Sequence, residues 1–462
     1  MQKVISLCKR RGFVYPNSEI YGGLAGFYDF GPLGIELKNN IQKAWWKEMI
    51  SSRDNVVGID GSIITHPKVW EASGHIEGFT DPMVDCKKCK KRFRADDLAK
   101  ELEVRDTGVA NEDLIEKLKK ALKNTKCPEC KGELTEPKRF NLLVEAGLGV
   151  IEGEKKKVYL RGEACQTIYL NYKNVLDSMR MKIPFGIAQI GKAFRNEITP
   201  KNFLYRQREF EQWDLQWFCH PKEMEKWYEF WKQERMKWYK SLLNNKGKIR
   251  FRKHESDELA HYAKIAFDIE YETPFDWKEW EGIHWRGDWD LSRHGKFSNN
   301  DFTYTDPDTK EKFLPHIVET SGGVDRTFLF LLLDAYCEDR DRVVLKLKPE
   351  LAPYKVAVFP LLANKPKLVE KAREIYDILK PEFSCAWDAR GNIGKRYYSQ
   401  DEVGTFLCVT VDFESLEDDT VTMRDRNTTQ QIRVKIKELK DIIEKLLKSE
   451  IEFEKAGELI QK

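Results

Sequence analysis

The 462-residue chain lacks long hydrophobic runs, an excess of either charge, internal repeats and low-complexity stretches. Its longest uninterrupted apolar stretch, Phe328 to Leu333, is far shorter than the roughly 20 residues that span a bilayer. Lysine plus arginine number 79 and aspartate plus glutamate 76, a formal net charge of +3. That balance excludes a polyanion-coating tail or a histone-like protein. It leaves room for a local basic face, because steering depends on where charge sits. Met1 to Cys8 is followed at once by Lys9, Arg10 and Arg11, with no apolar signal-peptide core, so a soluble cytosolic protein with no membrane partner is expected. A hydrophobic fraction of 41% with 12% aromatic residues excludes a disordered chain. At roughly 150 residues per domain, about three domains are expected.

Disulfides are not expected either. Six of the ten cysteines are scattered singly (Cys8, Cys165, Cys219, Cys337, Cys385, Cys408) in a large chain with no export signal. The other four form two Cys-x-x-Cys hooks, Cys86/Cys89 and Cys127/Cys130, separated by 37 residues. Paired hooks present four thiolates for tetrahedral zinc, closed as in structural sites. Four unrelated reduced thiols are the competing reading. A helix-like run from Asn111 to Leu122 lies between the hooks, so residues 81–157 read as an inserted module.

The rest reads as mixed α and β units. Apolar residues Ile35, Leu37, Ile41, Trp45 and Met49 recur at helical spacing within Leu33 to Ile50. A strand-like run from Asn55 to Thr65 stops at Pro67. Strands dominate from Val158 to Val344, interrupted by a helix over Pro221 to Leu243 whose aromatic stripe faces a core. Beyond Lys346-Leu-Lys-Pro-Glu-Leu-Ala-Pro353, alternation predicts a small α/β domain with strands at Tyr354 to Pro360, Phe383 to Trp387 and Thr405 to Phe413. Helices are expected over Lys367 to Leu379 and Gln430 to Leu447. The division expected is 1–80, 81–157, 158–347 and 348–462.

Two stretches carry chemistry. Phe194-Arg-Asn-Glu-Ile-Thr-Pro200 and Tyr205-Arg-Gln-Arg-Glu-Phe-Glu-Gln212 read as a hairpin projecting Arg195, Arg206 and Arg208 from one platform. Three guanidinium forks converging on one ligand suit a polyphosphate, and Phe210 offers a flat face for a purine. A surface salt-bridge ladder is the alternative. Ile317-Val-Glu-Thr-Ser-Gly-Gly-Val-Asp-Arg326 then reads as strand, glycine turn and helix start, with Arg326 aimed into a cleft.

Together these stretches resemble the second and third motifs of the class II aminoacyl-tRNA synthetases, although Ser321 stands at the usual first glycine of the third. The helix and strand ending at Pro67 resemble the first motif, which implies a homodimer. The resemblance narrows to the bacterial dimeric glycyl-tRNA synthetases along nearly the whole chain. It is carried by Ile20-Tyr-Gly-Gly-Leu-Ala-Gly26, Tyr28-Asp-Phe-Gly-Pro-Leu-Gly34, Val69-Trp-Glu-Ala-Ser-Gly-His75, Phe185 to Pro200 and Asp257-Glu-Leu-Ala-His-Tyr-Ala-Lys264. It implies an α+β fold: an antiparallel catalytic sheet, a zinc-ribbon-like insertion and a C-terminal α/β anticodon-binding domain. It also implies glycine–tRNA ligase activity, in which glycine and ATP with magnesium give glycyl-adenylate and glycine is then transferred to tRNA(Gly).

By motif position, the resemblance places Arg195 at the α-phosphate, Glu197 at the adenine amino group and Phe210 on the base. Arg206 and Arg326 would grip the outer phosphates, with Arg208 beside them. Glu163, Asp214, Glu319, Arg286 and Ser321 would receive glycine. Structural zinc at the cysteine hooks would serve tRNA more than adenylate formation.

Departures cluster at the glycine nest. Arg161-Gly-Glu-Ala-Cys-Gln-Thr167 replaces Arg-Pro-Glu-Thr-Ala-Gln-Gly, so Gly162, Ala164 and Thr167 alter its bulk. Asp214 after Trp213 replaces glutamate after methionine, and Gly282-Ile-His-Trp-Arg-Gly-Asp288, with Trp285, replaces Gly-Ile-Ala-Asn-Arg-Thr-Asp. Compensated glycine binding and a shift to another small amino acid both follow from such changes. A non-catalytic synthetase-like subunit is a further alternative, against which the retained Arg195, Glu197, Arg208, Phe210 and Arg326 argue.

Overall fold

Alternating side chains along the middle of the chain build one seven-stranded sheet. The computed structural model describes residues 1–99, 112–151, 155–255, 259 and 263–460. Most of the Asp257–Lys264 motif therefore lies outside the described residues. The strands are β1 (Val56–Gly58), β2 (Phe185–Phe194), β3 (Glu209–Cys219), β4 (Ile249–Lys253), β5 (Ile265–Thr273), β6 (Asp276–Gly287) and β7 (His316–Gly323). They lie in the order β4-β5-β6-β7-β3-β2-β1. Neighbours are antiparallel except β1, which runs parallel to β2.

A period of two divides each strand between the faces. Trp213, Leu215 and Trp217 of β3 enter a core shared with helices α1 (Pro32–Trp46), α2 (Met224–Leu242) and α3 (Val324–Ala335). Asp214 and Gln216 consequently point to the other face. Trp213 lies against Trp45, with centroids 5.5 Å apart and planes 10° apart. Its indole donates to Glu281 at 3.1 Å. Glu281 also accepts from Tyr239 at 2.7 Å and ion-pairs with the fully buried Arg235 of α2. Breaking such a pair costs about 3–5 kcal/mol, so this cluster pins α2 to the sheet. Gly322 makes room for it, since a Cβ there would meet the Trp213 nitrogen at 2.5 Å and Glu281 at 2.8 Å. Trp213 and Trp285 both pack on this face, away from the cleft.

Two expected elements differ. The run from Asn55 to Thr65 divides into β1 and a separate short strand, Ile64–Thr65, which pairs in another sheet. Between them Gly61 accommodates Thr167, whose Oγ1 would lie 2.2 Å from a Cβ there. The helix expected over Gln430 to Leu447 is a strand, Gln431–Lys435, followed by a shorter helix, Leu439–Leu447. Buried Ile432 and Val434 alternate with Arg433, which binds Asp412, so strand pairing with Thr420–Asp425 wins.

The cysteine segment forms a hairpin, Thr80–Asp85 with Arg92–Arg94, whose first strand also pairs with Lys138–Asn141. At the C-terminus a six-stranded sheet runs in the order Cys385–Trp387, Val356–Pro360, Leu407–Val411, Thr420–Asp425, Gln431–Lys435, Glu458–Leu459. Its first three strands are parallel and the rest antiparallel. Among the described residues no helix is long and apolar enough to cross a membrane.

Candidate active site

The sheet face opposite α2 and α3 opens into a cavity of about 320 Å³. Glu163, Arg195, Glu197, Arg206, Phe210, Glu319, Ser321 and Arg326 line it together. Asp214 and Arg286 lie directly behind its wall, fully buried, and Arg208 faces elsewhere.

One end is cationic. Arg195 follows β2, its backbone N–H bonding Arg208 across the hairpin at 2.9 Å and its Nε donating to Gly162 O at 3.1 Å. Its guanidinium lies 5.1 Å from the Phe79 ring centre and 5.3 Å from that of Phe210. Arg206 is depressed to about 10 by burial and then by the nearby Arg94, and still carries its charge at neutral pH. Arg326 sits in the first turn of α3, 3.0 Å from a Glu279 oxygen and 4.6 Å from the Tyr205 ring centre. Burial raises the Glu197 carboxyl against the pull of Arg195. Arg208 departs from the expectation. It donates to Glu197 O at 2.6 Å and Ala25 O at 3.1 Å, clamping the loop's backbone rather than facing the cavity.

The other end is a carboxylate nest. Period-two alternation sends Asp214, Glu319 and Arg286 to the same face, and the β3–β7 register sets Asp214 opposite Ser321. Glu319 accepts from Gln216 at 2.9 Å, from Arg286 at 3.0 Å on both oxygens, and from His284 at 2.8 Å. Burial pushes it up, but Arg286 and His284 outweigh this and hold it at about 2. Arg286 also forks onto Asp290 at 2.7 and 2.8 Å, so it positions Glu319 rather than facing the cavity. Glu163 lies 3.1 Å from His75 and accepts from Cys165 at 3.0 Å. Burial raises it, and His75 and Arg286 prevail to hold it well below the usual range.

Asp214 is the exception. It is fully buried, and neither oxygen has a hydrogen-bond partner of normal geometry among the described residues. Burial, then the Glu319 charge, push its carboxyl well above the usual range, Ser321 opposing. Thr167 is held behind the wall by Gln189 at 2.9 Å, while Ala164 takes a bond from its own N–H to Gln212 at 3.1 Å.

Outside the cavity, the Cys86, Cys89, Cys127 and Cys130 sulfurs lie within 4.8 Å of one another. The two hooks repeat one local geometry. Lys90 and Lys131 take positive φ angles of 59° and 60°, and their N–H groups bond back to Cys86 O and Cys127 O at 3.0 and 2.9 Å. Cys89 N–H points at Cys86 Sγ at 3.4 Å. A Cβ on Gly132 would press within 3.2 Å of two of the sulfurs. Four sulfurs so arranged fit tetrahedral zinc.

Sequence reasoning missed Phe79, Asp81, Arg94, Leu142, Glu279 and His284 as lining residues. His75 was visible only inside a longer string. No spacing signal ties Arg94 to residues more than a hundred positions away.

Residues 149–336 match the tRNA synthetase class II core domain (G, H, P, S and T), and residues 355–446 match the anticodon binding domain. The chain is 50% identical over 451 residues to the glycine–tRNA ligase of Borreliella burgdorferi, covering 95% of this chain and 96% of that one. It is 48% identical over 456 residues to the glycine–tRNA ligase of Bacillus cereus, covering 96% and 98%. In fold it is similar to a crystal structure of prolyl-tRNA synthetase from Cryptosporidium parvum complexed with L-proline and AMP. The TM-score is 0.63 at 16% identity, covering 96% of this chain and 75% of that one.

Proposed function

The chain belongs to the glycine–tRNA ligases, class II aminoacyl-tRNA synthetases, and from that premise we propose how this cavity activates glycine and passes it to tRNA(Gly). The observation that carries the proposal is Asp214, a fully buried carboxylate with unpartnered oxygens beside two ionised ones, Glu163 and Glu319. Such a cluster is costly unless a cation arrives. A glycine ammonium supplies that cation, and its carboxylate is left pointing toward Arg195.

ATP then occupies the cationic end. Phe210 and Phe79 flank Arg195, which meets the α-phosphate where charge develops as the glycine carboxylate attacks. Arg206 and Arg326 take the outer phosphates, and Glu197 the adenine amino group. Pyrophosphate leaves in line. No side chain acts as nucleophile; the acceleration comes from positioning and from fixed charge in a buried site. Class II synthetases use ATP with magnesium, and Asp268 and Glu279 line the same end with the oxygen donors that ion prefers. Magnesium offsets triphosphate charge when bound.

In the second step a hydroxyl of the tRNA 3′ end attacks the glycyl carbonyl of the adenylate, and AMP leaves as the mixed anhydride breaks. Residues 348–462 read the anticodon, residues 81–157 carry structural zinc on Cys86, Cys89, Cys127 and Cys130, and residues 1–80 with 158–347 form the catalytic body. Exposed Ile35, Trp46 and Ile64, all within the first-motif segment, support pairing of two chains there. Charging of a tRNA(Gly) transcript with labelled glycine tests the whole reading: ATP-dependent acid-precipitable label is expected, and none from a folded enzyme would refute it.

A further inference from the structure

Residues His75 to Phe79 join the two ends of the cavity. The short helix His75–Gly78 opens with His75, 3.1 Å from Glu163, and the chain leaves it at Phe79, whose ring centre lies 5.1 Å from the Arg195 guanidinium. The two rings meet edge to face with centroids 5.3 Å apart, and Trp70 packs edge-on to His75 at 5.2 Å.

This strap is fixed from the cysteine insertion. Asn141 Nδ2 donates to His75 O at 3.0 Å and to Ile76 O at 2.9 Å. Leu142 N–H bonds Phe79 O at 3.0 Å, and Asn196 N–H, next to Arg195, bonds Leu142 O at 2.7 Å. The Phe79 ring packs on a small core of Trp70, Leu143 and Tyr159. Gly162 makes room for it, since a Cβ there would lie 3.1 Å from its Cε1.

Arg195 depends on such support. Among the described residues its guanidinium donates to a single acceptor, Gly162 O, through Nε at 3.1 Å. Its orientation otherwise rests on the Phe79 and Phe210 rings. A ring face attracts a guanidinium without using its N–H donors, so both terminal nitrogens stay open to phosphate oxygens.

Resting on the placement of Arg195 at the α-phosphate and of the base on Phe210, we propose that Phe79 is a positioning residue for adenylate formation: its ring holds the Arg195 guanidinium toward the α-phosphate. Phe79 acts through Arg195 and touches no reacting atom. Because charge builds at the α-phosphate in the transition state, its loss falls on kcat rather than on either KM. The insertion, which anchors the strap, thereby serves the first step of the reaction.

Pyrophosphate exchange tests this, run with whichever of glycine, alanine and serine the wild type activates fastest, so that a failure of the glycine reading leaves the test intact. Phe79→Leu, apolar but without a ring face, is expected to lower kcat at least about fivefold with both KM values within about twofold of wild type. Phe79→Tyr, which keeps the face, is expected to hold kcat within about threefold. In an Arg195→Lys background, where the ammonium has no plane to orient, Phe79→Leu is expected to cost less than about twofold more, a non-additivity that a merely structural role does not give. Should Phe79→Leu not fold, Phe79→Met is expected to lower kcat at least about threefold with the same non-additivity. Unchanged kcat in a folded Phe79→Leu or Phe79→Met variant, a Phe79→Tyr variant as slow as Phe79→Leu, or equal losses in both backgrounds overturns the proposal alone. Exchange by Arg195→Lys as fast as wild type overturns the placement of Arg195 with it.

Discussion

His284 lies 2.8 Å from Glu319, on the neighbouring strand, and completes a carboxylate held from three sides by His284, Arg286 and Gln216. The ring rests over Gly282, where a Cβ would sit 2.6 Å from it. The glycine and the histidine are thus one device. A hydrogen bond to a charged group contributes about 1.5–3 kcal/mol. His284→Ala should raise KM for glycine roughly ten- to hundredfold by the same figure, with KM for ATP unchanged, and His284→Gln should recover part of the loss. Steady-state exchange with each substrate varied checks this; an equal rise for both substrates would count against it.

Asp214 gives the nest a pH dependence of definite sign. Its carboxyl is held well above the usual range, by burial first and Glu319 second. Below that raised value the free enzyme carries it protonated, while an ammonium binds the ionised form. Glycine binding therefore expels a proton, and KM for glycine should fall as pH rises, by up to about tenfold per unit, levelling once the carboxyl ionises unaided. Asp214→Asn should weaken glycine and remove this slope. KM measured between about pH 6 and 8.5 decides it; an unchanged slope in Asp214→Asn is the adverse result. Trp213 points into the helix layer and does not compete for this space, so Asp214→Glu should tighten glycine.

Much of this site is legible in the sequence. Arg195, Glu197, Arg206 and Arg326 stand in short strings whose spacing on a hairpin and a helix start brings them together. Asp214, Glu319 and Arg286 were legible only through family resemblance, because strand register, not spacing, makes them neighbours. Arg208 misled, since its spacing from Arg206 is right while its guanidinium turns to loop carbonyls. Gln431–Lys435 was read as helix because Ile432 and Val434 suit either period over so short a run. Arg94 and Leu142 gave no signal, since they reach the cavity only through pairing inside the insertion.

Zinc content and its removal form a third prediction. Metal analysis should return one zinc per chain, lost in a Cys86→Ser and Cys127→Ser double variant. Because the hook is the turn between the strands carrying Asp81 and Arg94, chelation should lower the melting temperature and also weaken ATP. Zinc retained by the double variant would defeat the ligand assignment.

The C-terminal module is fastened by two adjacent acids. Glu402 ion-pairs with Arg10 and Arg11 of the N-terminal helix Gln2–Arg11, while Asp401 takes Arg342 at 2.8 Å and Arg424 at 2.8 and 2.9 Å. Glu402→Gln should leave exchange unchanged and lower kcat/KM for tRNA about three- to tenfold, the scale of one or two partly exposed charged contacts. Equal effects on both steps would show that the contact serves folding alone.

The central claim is that this altered nest still selects glycine. A rigid wall rejects an added methyl group more strongly than the roughly 10–200-fold available from recognising a missing one. Pyrophosphate exchange with glycine, alanine and serine at equal concentrations tests it most directly. The nest described here predicts rapid exchange with glycine and at least about a hundredfold less with the other two. Comparable or faster exchange with alanine or serine would contradict it.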